Sequence, residues 1–168
     1  AKARGGALVF SGAGTDHLAV EDAKTIDDVI RAYEEQIEAV EKAGGRIILM
    51  ASRALAKLGR GADDYAKVYN RVLGQVREPV IIHWLGDMFD PALANYWGTA
   101  NLDSAMDIAV GIVNANAAKV DGVKVSLLDK QREITMRRLL PATGGVDGRG
   151  VRMYTGDDFN YAELIAGD

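Results

Sequence analysis

The feature that most constrains the fold of this chain is a regular alternation of short apolar segments with longer amphipathic ones. The apolar segments have the length and β-branched content of buried strands, and each is followed by a helix or by residues that begin one. Because strands joined through helices pair in parallel with right-handed crossovers, we expect an α/β fold. The predicted strands span residues 7–11, 46–50, 80–85, 120–129 and 151–155.

The predicted helices have recognisable start and stop signals. Thr25 and Asp28 have the spacing of a capping box, and Gly44 and Gly45 end the amphipathic run that follows. Proline ends two of the later helices. The later helices span residues 63–78, 102–116 and 129–140, and the glycine-rich residues 142–150 form a surface connection within a single domain of residues 1–168.

Two architectures have this alternation. A flavodoxin-like open doubly wound sheet uses about this chain length, whereas a closed eightfold barrel needs roughly 250 residues. An open sheet concentrates its site at one switch point, but here polar residues recur toward the carboxyl end of every predicted strand, which favours a (β/α)8 TIM barrel or a partial one. These residues are Thr15 and Asp16, Ser52 and Arg53, His83 and Asp87, Lys124 and Ser126, and Asp157 and Asp158.

Composition argues against several classes of function. A formal net charge of -4 and a pI near 5.2 provide no basic surface for nucleic acid or for anionic membranes. No apolar run has the length of a membrane span, and the first residues lack the apolar segment of a signal peptide. The absence of cysteine excludes disulfides, thiolate metal sites and cysteine nucleophiles. We therefore expect a soluble cytoplasmic protein with no nucleic-acid or membrane partner.

A lysine in the fourth predicted strand is the most unusual residue of the sequence. Side chains alternate along a strand, so Lys124 and Ser126 share one face while Val123 and Val125 share the other. A buried ammonium is costly unless it is paired. Lys124 therefore either reaches solvent or occupies a site that favours its neutral form and frees the amine to react with carbonyls. Taken alone, the strand pattern favours the first alternative.

Three other candidates each have an ordinary structural explanation. The glycine-rich residues 12–17 could bind phosphate, but they lack the P-loop lysine and a third glycine, so a strand-to-helix turn is the stronger interpretation. His83 on an apolar strand is usually a core histidine, although its place near the carboxyl end of that strand favours function. Asp157 and Asp158 could be acid–base groups or metal ligands, or they could cap the last helix.

Three of the predicted strands carry a family resemblance. The sequence Gly122-Val-Lys124-Val-Ser126-Leu-Leu-Asp129 resembles the Schiff-base strand of the dihydrodipicolinate synthase and N-acetylneuraminate lyase family, where Gly-x-Lys is followed by Ser or Thr and then Asp. Residues 79–83 look like the preceding strand of that family, and residues 153–158 look like the following one. Residues 50–56 and 154–161 look closer still to an uncharacterised dihydrodipicolinate synthase-like branch.

The resemblance implies a class I aldolase or lyase that covers strands three to seven of the barrel. Lys124 would form a Schiff base with a 2-oxo acid, without a metal or another cofactor. His83 stands where that family has tyrosine and would relay protons. The residues expected to bind substrate are Thr15, Ser52, Arg53, Ser126, Gly156, Asp157 and Asp158.

Two other functions remain open at this point. A non-catalytic barrel would bind a ligand while Lys124 forms a structural ion pair with Asp157 or Asp158. A metal-dependent aldolase using His17, His83 and an aspartate ranks last, because the chain has two histidines and no His-x-His spacing. In either case the open edges of a partial barrel lead us to expect a homo-oligomer.

Overall fold

The structure is a computed structural model that describes residues 8–142, 145 and 148–167 of the 168-residue chain. Residue 7 of the first predicted strand and residues 143, 144, 146 and 147 of the predicted connection lie outside the described residues. The strands are β1 (Phe10–Ala13), β2 (Arg46–Leu49), β3 (Val80–Leu85), β4 (Val120–Ser126) and β5 (Arg152–Thr155). They form one parallel sheet in the order β1-β2-β3-β4-β5.

Successive helices pack side by side along this sheet. The helices are α1 (Ile26–Lys42), α2 (Arg53–Leu58), α3 (Ala62–Gln75), α4 (Leu102–Ala115), α5 (Lys130–Leu139) and α6 (Tyr161–Ala166). Helix α1 packs on α3, α3 on α4, α4 on α5, and α5 on α6. A flavodoxin-like sheet reverses its strand order near the first strand, whereas here every strand lies beside its successor. The α/β fold is consistent with a partial TIM barrel, and the flavodoxin-like alternative is wrong.

The two faces of the sheet differ in chemistry. The face toward the helices is apolar, and Leu49, Ile82 and Val125 on it are each 1% exposed. The opposite face, which would surround the axis of a closed barrel, is called the inner face here. Residues in register on neighbouring parallel strands share a face. The inner face of the last four strands carries Ile48, Ile81, His83, Leu85, Gly122, Lys124, Ser126, Arg152 and Tyr154.

A β-bulge at the start of β4 sets this alternation. Val80 pairs with Val120, but the next residue of β3, Ile81, pairs with Gly122. Asp121 is therefore an extra residue, and its carboxylate reaches the hydroxyl of Tyr154 on the inner face. After the bulge, the even-numbered residues of β4 point to the inner face.

The capping box predicted for α1 is confirmed. The Thr25 hydroxyl accepts the backbone N–H of Asp28 at 3.2 Å, and the Asp28 carboxylate accepts the backbone N–H of Thr25 at 2.9 Å. Val29, Tyr33 and Ile37 then recur at helical spacing and are fully buried against the sheet. Burial of each such side chain contributes roughly 1.5–3 kcal/mol, so packing stabilises α1 more than its cap does.

Two predicted boundaries were wrong in the first third of the chain. Strand β1 extends to Ala13 rather than ending at Ser11, because Gly12 and Ala13 continue the pairing with β2. The segment after Ser52 was expected to be a simple exit but forms α2, which begins where the Ser52 hydroxyl accepts the backbone N–H of Leu55 at 3.0 Å. Both corrections arise from contacts with neighbouring segments that the local pattern does not contain.

An aromatic cluster fixes the segment between β3 and α4. The Trp97 ring lies 5.0 Å from the ring of Tyr69 and 5.2 Å from that of Tyr96, measured between centroids. Trp97 has a backbone φ of 72° and is 1% exposed, so its left-handed conformation is held by this packing.

Candidate functional site

Lys124 lies at the centre of the inner face. It is in register with His83 of β3 on one side and with Tyr154 of β5 on the other, and it is partly buried. Within the part of the chain that the structure describes, its ammonium forms no hydrogen bond and no ion pair, with Asp157, Asp158 or any other carboxylate. The contact expected for a structural ion pair is therefore not found among these residues.

His83 and Ser126 form a buried polar pair next to Lys124. The His83 Nε2 and Ser126 Oγ atoms are 3.0 Å apart, and the two residues are 5% and 4% exposed. Burial, and then the positive charge of Lys124, lower the pKa of His83 to about 4. The imidazole is consequently neutral near pH 7, with one N–H donor and one acceptor nitrogen. The pair can exchange a proton between ring and hydroxyl.

Two glycines make room for the side chains around Lys124. A Cβ on Gly156 would overlap the Ser126 hydroxyl and would lie 2.9 Å from the carbonyl oxygen of Val125. A Cβ on Gly122 would overlap the ring of Tyr154. The Gly-x-Lys pattern and the glycine after β5 thus have a packing explanation, because each glycine receives a polar side chain from the neighbouring strand.

Asp121, which the sequence analysis did not select, forms a third polar group on the inner face. It is 3% exposed. The Tyr154 hydroxyl donates to Asp121 Oδ2 at 2.7 Å, and Arg152 Nη1 forms an ion pair with Asp121 Oδ1. Both carboxylate oxygens are thus engaged. An aspartate at the start of an otherwise apolar strand was the signal that could have identified it.

Thr15 and Ser52 lie in contact, and their hydroxyl groups are hydrogen-bonded within the protein. Their hydroxyl oxygens are 2.6 Å apart, and the residues are 3% and 1% exposed. Ser52 also caps α2, and its backbone N–H donates to the Tyr96 hydroxyl at 3.2 Å. The Tyr96 hydroxyl in turn lies 3.1 Å from that of Tyr69. These bonds tie the ends of β1 and β2 to the aromatic cluster.

Arg53 is engaged by acidic residues of the chain itself. Its Nε donates to Asp90 at 2.7 Å, and its Nη1 lies 3.4 Å from Asp16. The side chain is 51% exposed. No contact among the described residues joins Arg53 to the pair of His83 and Ser126.

Asp157 and Asp158 differ in their surroundings. Asp157 is 1% exposed, and its carboxylate accepts the backbone N–H groups of Phe159 and Asn160 at 2.8 and 2.9 Å and the Asn160 side-chain amide at 2.8 Å. Burial opposes ionisation of Asp157, but these hydrogen bonds outweigh it and lower the pKa of the carboxyl below its usual range. Asp157 therefore organises the turn before α6, whereas Asp158 is exposed.

Glu133 is a buried acid on the far side of the sheet from Lys124. It lies on α5, is 0% exposed, and neither carboxylate oxygen has a hydrogen-bond partner among the described residues. Burial raises the pKa of Glu133 to about 7. The nearby hydroxyl of Thr155, which does not reach hydrogen-bond geometry, opposes this shift, and the negative charges of Asp157 and Asp129 add to it. A glutamate among basic residues on a helix is expected to be exposed, so its burial was not predictable from the local pattern.

The chain is similar in structure to a crystal structure from Pseudomonas aeruginosa that is named as a candidate dihydrodipicolinate synthetase. The two chains are 16% identical and superpose with a TM-score of 0.61. The match covers 97% of this chain and 45% of that chain, so this chain spans less than half the length of the solved protein. At this identity the likeness shows the fold alone, which is the fold that the three strand motifs implied.

Two other findings concern membranes and curated sequences. Among the described residues, no helix combines the length and the apolar character that crossing a bilayer requires. No curated protein matches the chain with significance.

The family comparison covers every residue of the sequence. A family model described as "Protein of unknown function (DUF993)" matches residues 1–168. The chain therefore belongs to the DUF993 family.

Proposed function

We propose that this protein is an imine-forming lyase or aldolase that acts on a 2-oxo acid through Lys124. The observation that carries the proposal is the position of Lys124 on the inner face, between His83 and Tyr154, without an ion-pair partner among the described residues. An amine held by a carboxylate favours its protonated form, which is not nucleophilic, so an unpaired lysine is suited to attack a carbonyl. The dihydrodipicolinate synthetase-like fold supports the same chemistry by analogy.

In the proposed reaction, the neutral amine of Lys124 attacks the keto carbon of the substrate. The carbonyl oxygen takes up two protons and leaves as water, and a protonated imine remains. The bond between the α- and β-carbons of the imine then breaks, so that its electron pair forms the enamine double bond and the C=N π pair moves to nitrogen, while the β-hydroxyl of the departing fragment loses its proton and becomes a carbonyl. Condensation is the reverse step, in which the enamine attacks an aldehyde or a second carbonyl. In the cleavage direction the α-carbon of the enamine then takes up a proton and the imine forms again. Hydrolysis of the imine restores the lysine.

His83 and Ser126 are proposed to move the protons. The Ser126 hydroxyl, 3.0 Å from His83 Nε2, would pass a proton between the imidazole and the carbonyl oxygen or the leaving group. Because His83 is neutral near pH 7, it can accept a proton there. Asp158 is exposed beside Gly156 and is proposed to contact polar groups of the substrate, and Arg53 is proposed to exchange its long contact with Asp16 for the substrate carboxylate.

The experiment is borohydride trapping with pyruvate and a panel of longer 2-oxo acids, on this chain and on any longer protein that contains it. Hydride adds to the imine carbon and converts the imine to a stable secondary amine, which intact mass and peptide mapping detect. We expect an adduct on Lys124 that is lost in Lys124→Met and retained in Lys42→Met, a matched change at an exposed lysine. An adduct absent from every form, or present on other lysines alone, would overturn the proposal.

A further inference from the structure

We infer that Tyr154 is a positioning residue that, together with Arg152, keeps the buried carboxylate of Asp121 away from the Lys124 amine. The inference rests on the proposed function, since isolation of the amine matters when the amine is the nucleophile. It concerns three residues of the inner face to which the mechanism above assigns no step.

The side chains of Asp121 and Lys124 can approach each other along the inner face of β4. They lie three residues apart on the same strand, a rise of about 10 Å at roughly 3.3 Å per residue. The bulge turns Asp121 to the face that carries Lys124. A lysine side chain that folds back along the strand can span most of this distance, and Asp121 is buried, where the attraction between opposite charges is screened least.

The ring of Tyr154 occupies the space between them. Gly122 lies between Asp121 and Lys124 along the inner face, and the Tyr154 ring sits on Gly122 so closely that a Cβ there would overlap it. The tyrosine hydroxyl then donates to Asp121 Oδ2 at 2.7 Å. One side chain thus blocks the path of the lysine and occupies one oxygen of the aspartate.

Arg152 completes the arrangement with charge. Its guanidinium pairs with Asp121 Oδ1, so the negative charge of the carboxylate is balanced by an arginine. Among the described residues of β3, β4 and β5, the titratable and charged groups on the inner face around Lys124 are His83, Asp121, Arg152 and Tyr154. Asp121 is the only anion in this set, so it is the carboxylate that Tyr154 and Arg152 are inferred to hold away from the amine.

The inference is tested by pulse acetylation of the protein with acetic anhydride across a pH range. The unprotonated amine attacks the anhydride carbonyl, acetate leaves, and the amine proton goes to solvent, so the rate of labelling at Lys124 reports the fraction of free amine. Peptide mapping separates Lys124 from the other lysines. This readout requires no 2-oxo acid and no turnover.

We expect Tyr154→Leu to slow acetylation of Lys124 at pH 7 by roughly tenfold, with the midpoint of labelling displaced about one pH unit upward, as an adjacent opposite charge displaces titration. The double variant Tyr154→Leu/Asp121→Asn should restore the original profile, because it removes the carboxylate. Tyr161→Leu, a matched change at an exposed tyrosine, should leave the profile unchanged.

An unchanged profile in folded Tyr154→Leu, or a displaced profile that Asp121→Asn does not restore, would overturn the inference. If circular dichroism shows that Tyr154→Leu is unfolded, Arg152→Gln and Tyr154→Phe replace it. Each variant should displace the midpoint pH of Lys124 acetylation upward by a smaller amount, and Asp121→Asn should abolish the displacement. If neither variant displaces the midpoint, the inference is overturned. Borohydride trapping on the same samples distinguishes the proposed function from the inferred role of Tyr154. Failure to trap an imine contradicts the proposed function, while the acetylation profile still tests whether Tyr154 keeps Asp121 away from Lys124.

Discussion

At the scale of a single residue, the uncharged state of His83 decides what the site can do. The ring is buried beside a lysine and bonded to Ser126, so a second positive charge there would be costly. A neutral imidazole can take a proton from a neighbour and return it, and it does not repel the protonated imine that the proposed reaction forms. A relay group works best with a pKa near the working pH, so the lowered pKa makes His83 a weak base that returns a proton readily.

The lowered pKa of His83 also predicts a pH dependence of stability. Because the folded state binds this proton less tightly than the unfolded state, the stability is complete above pH 6.5 and is lost as the pH falls toward 4, by about 3 kcal/mol in total. We expect His83→Gln to lose less free energy of unfolding than the wild type between pH 7 and pH 4.5, measured by urea denaturation. His17→Gln, at the more exposed histidine, is the control. Equal losses in wild type and His83→Gln would contradict the assignment.

The glycine after β5 gives a second prediction. Gly156→Ala should destabilise the protein by about 1–3 kcal/mol and reduce imine trapping, because its Cβ would overlap the Ser126 hydroxyl and displace it from His83. Gly111→Ala in α4 is the matched control, since its Cβ meets no atom within 4 Å and alanine favours a helix. Thermal denaturation should show a lower Tm for Gly156→Ala and an equal or higher Tm for Gly111→Ala. A Gly156→Ala protein with wild-type stability would contradict the packing argument.

The alternation of side chains along a strand was the basis for predicting which residues share a face. The period of two indicated that Lys124 and Ser126 share a face. Pairing of β3 with β4 then places His83 on the same face. The position of Asp121 on the inner face was not predicted, because a β-bulge depends on pairing with the neighbouring strand. The hydrogen bonds that engage Thr15 and Ser52 come from residues that only the folded chain brings together, whereas those of Asp157 lie within its own turn.

At the scale of an element, α5 is held against the sheet by a contact of mixed character. Met136 is 1% exposed in this contact, and Glu133 is buried beside it without a hydrogen-bond partner among the described residues. An ionised carboxylate in this position lacks the compensation that buried charges require. The packing of α5 on β5 is therefore sensitive to the protonation of one residue.

Glu133 accordingly predicts a loss of stability in mild alkali. Since its folded pKa of about 7 lies above its ordinary value of 4.5, its contribution is complete below pH 4.5 and is lost as the pH rises through 7, by about 3 kcal/mol. We expect Glu133→Gln to be more stable than the wild type at pH 8 and similar to it at pH 4.5. Glu163→Gln, at a surface glutamate paired with Lys130, should show no such gain at pH 8. A Glu133→Gln protein that gains nothing between these two pH values would refute the prediction.

Helices with local signals were the best predicted elements. The start of α1 follows from the capping box at Thr25, and the ends of α3 and α5 lie within a few residues of the prolines that follow them. Helix α2 was missed because its six residues are too few to show a period, and it is stabilised by the Ser52 cap and by the burial of Ala54 and Leu55. Short helices of this kind depend on tertiary contacts.

At the scale of the whole molecule, the order of strands follows the order of the sequence. Polar residues toward the carboxyl end of every predicted strand favoured this arrangement over an open doubly wound sheet. Chain length alone favoured the open sheet. Within the described residues, β1 and β5 each pair with one neighbour and present a free edge. Association into a homo-oligomer through such edges stays a prediction.

The extra residue at Asp121 determines which face of the sheet each later residue of β4 occupies. It shifts the alternation of β4 by one position relative to β3, so that Lys124 pairs with His83 rather than with Trp84. If the same residues paired without this bulge, Lys124 would lie opposite Trp84 in the apolar layer beneath the helices, and Val123 and Val125 would lie on the inner face. Every later residue of β4 depends on that offset, so the bulge determines which face of the sheet carries the Lys124 amine.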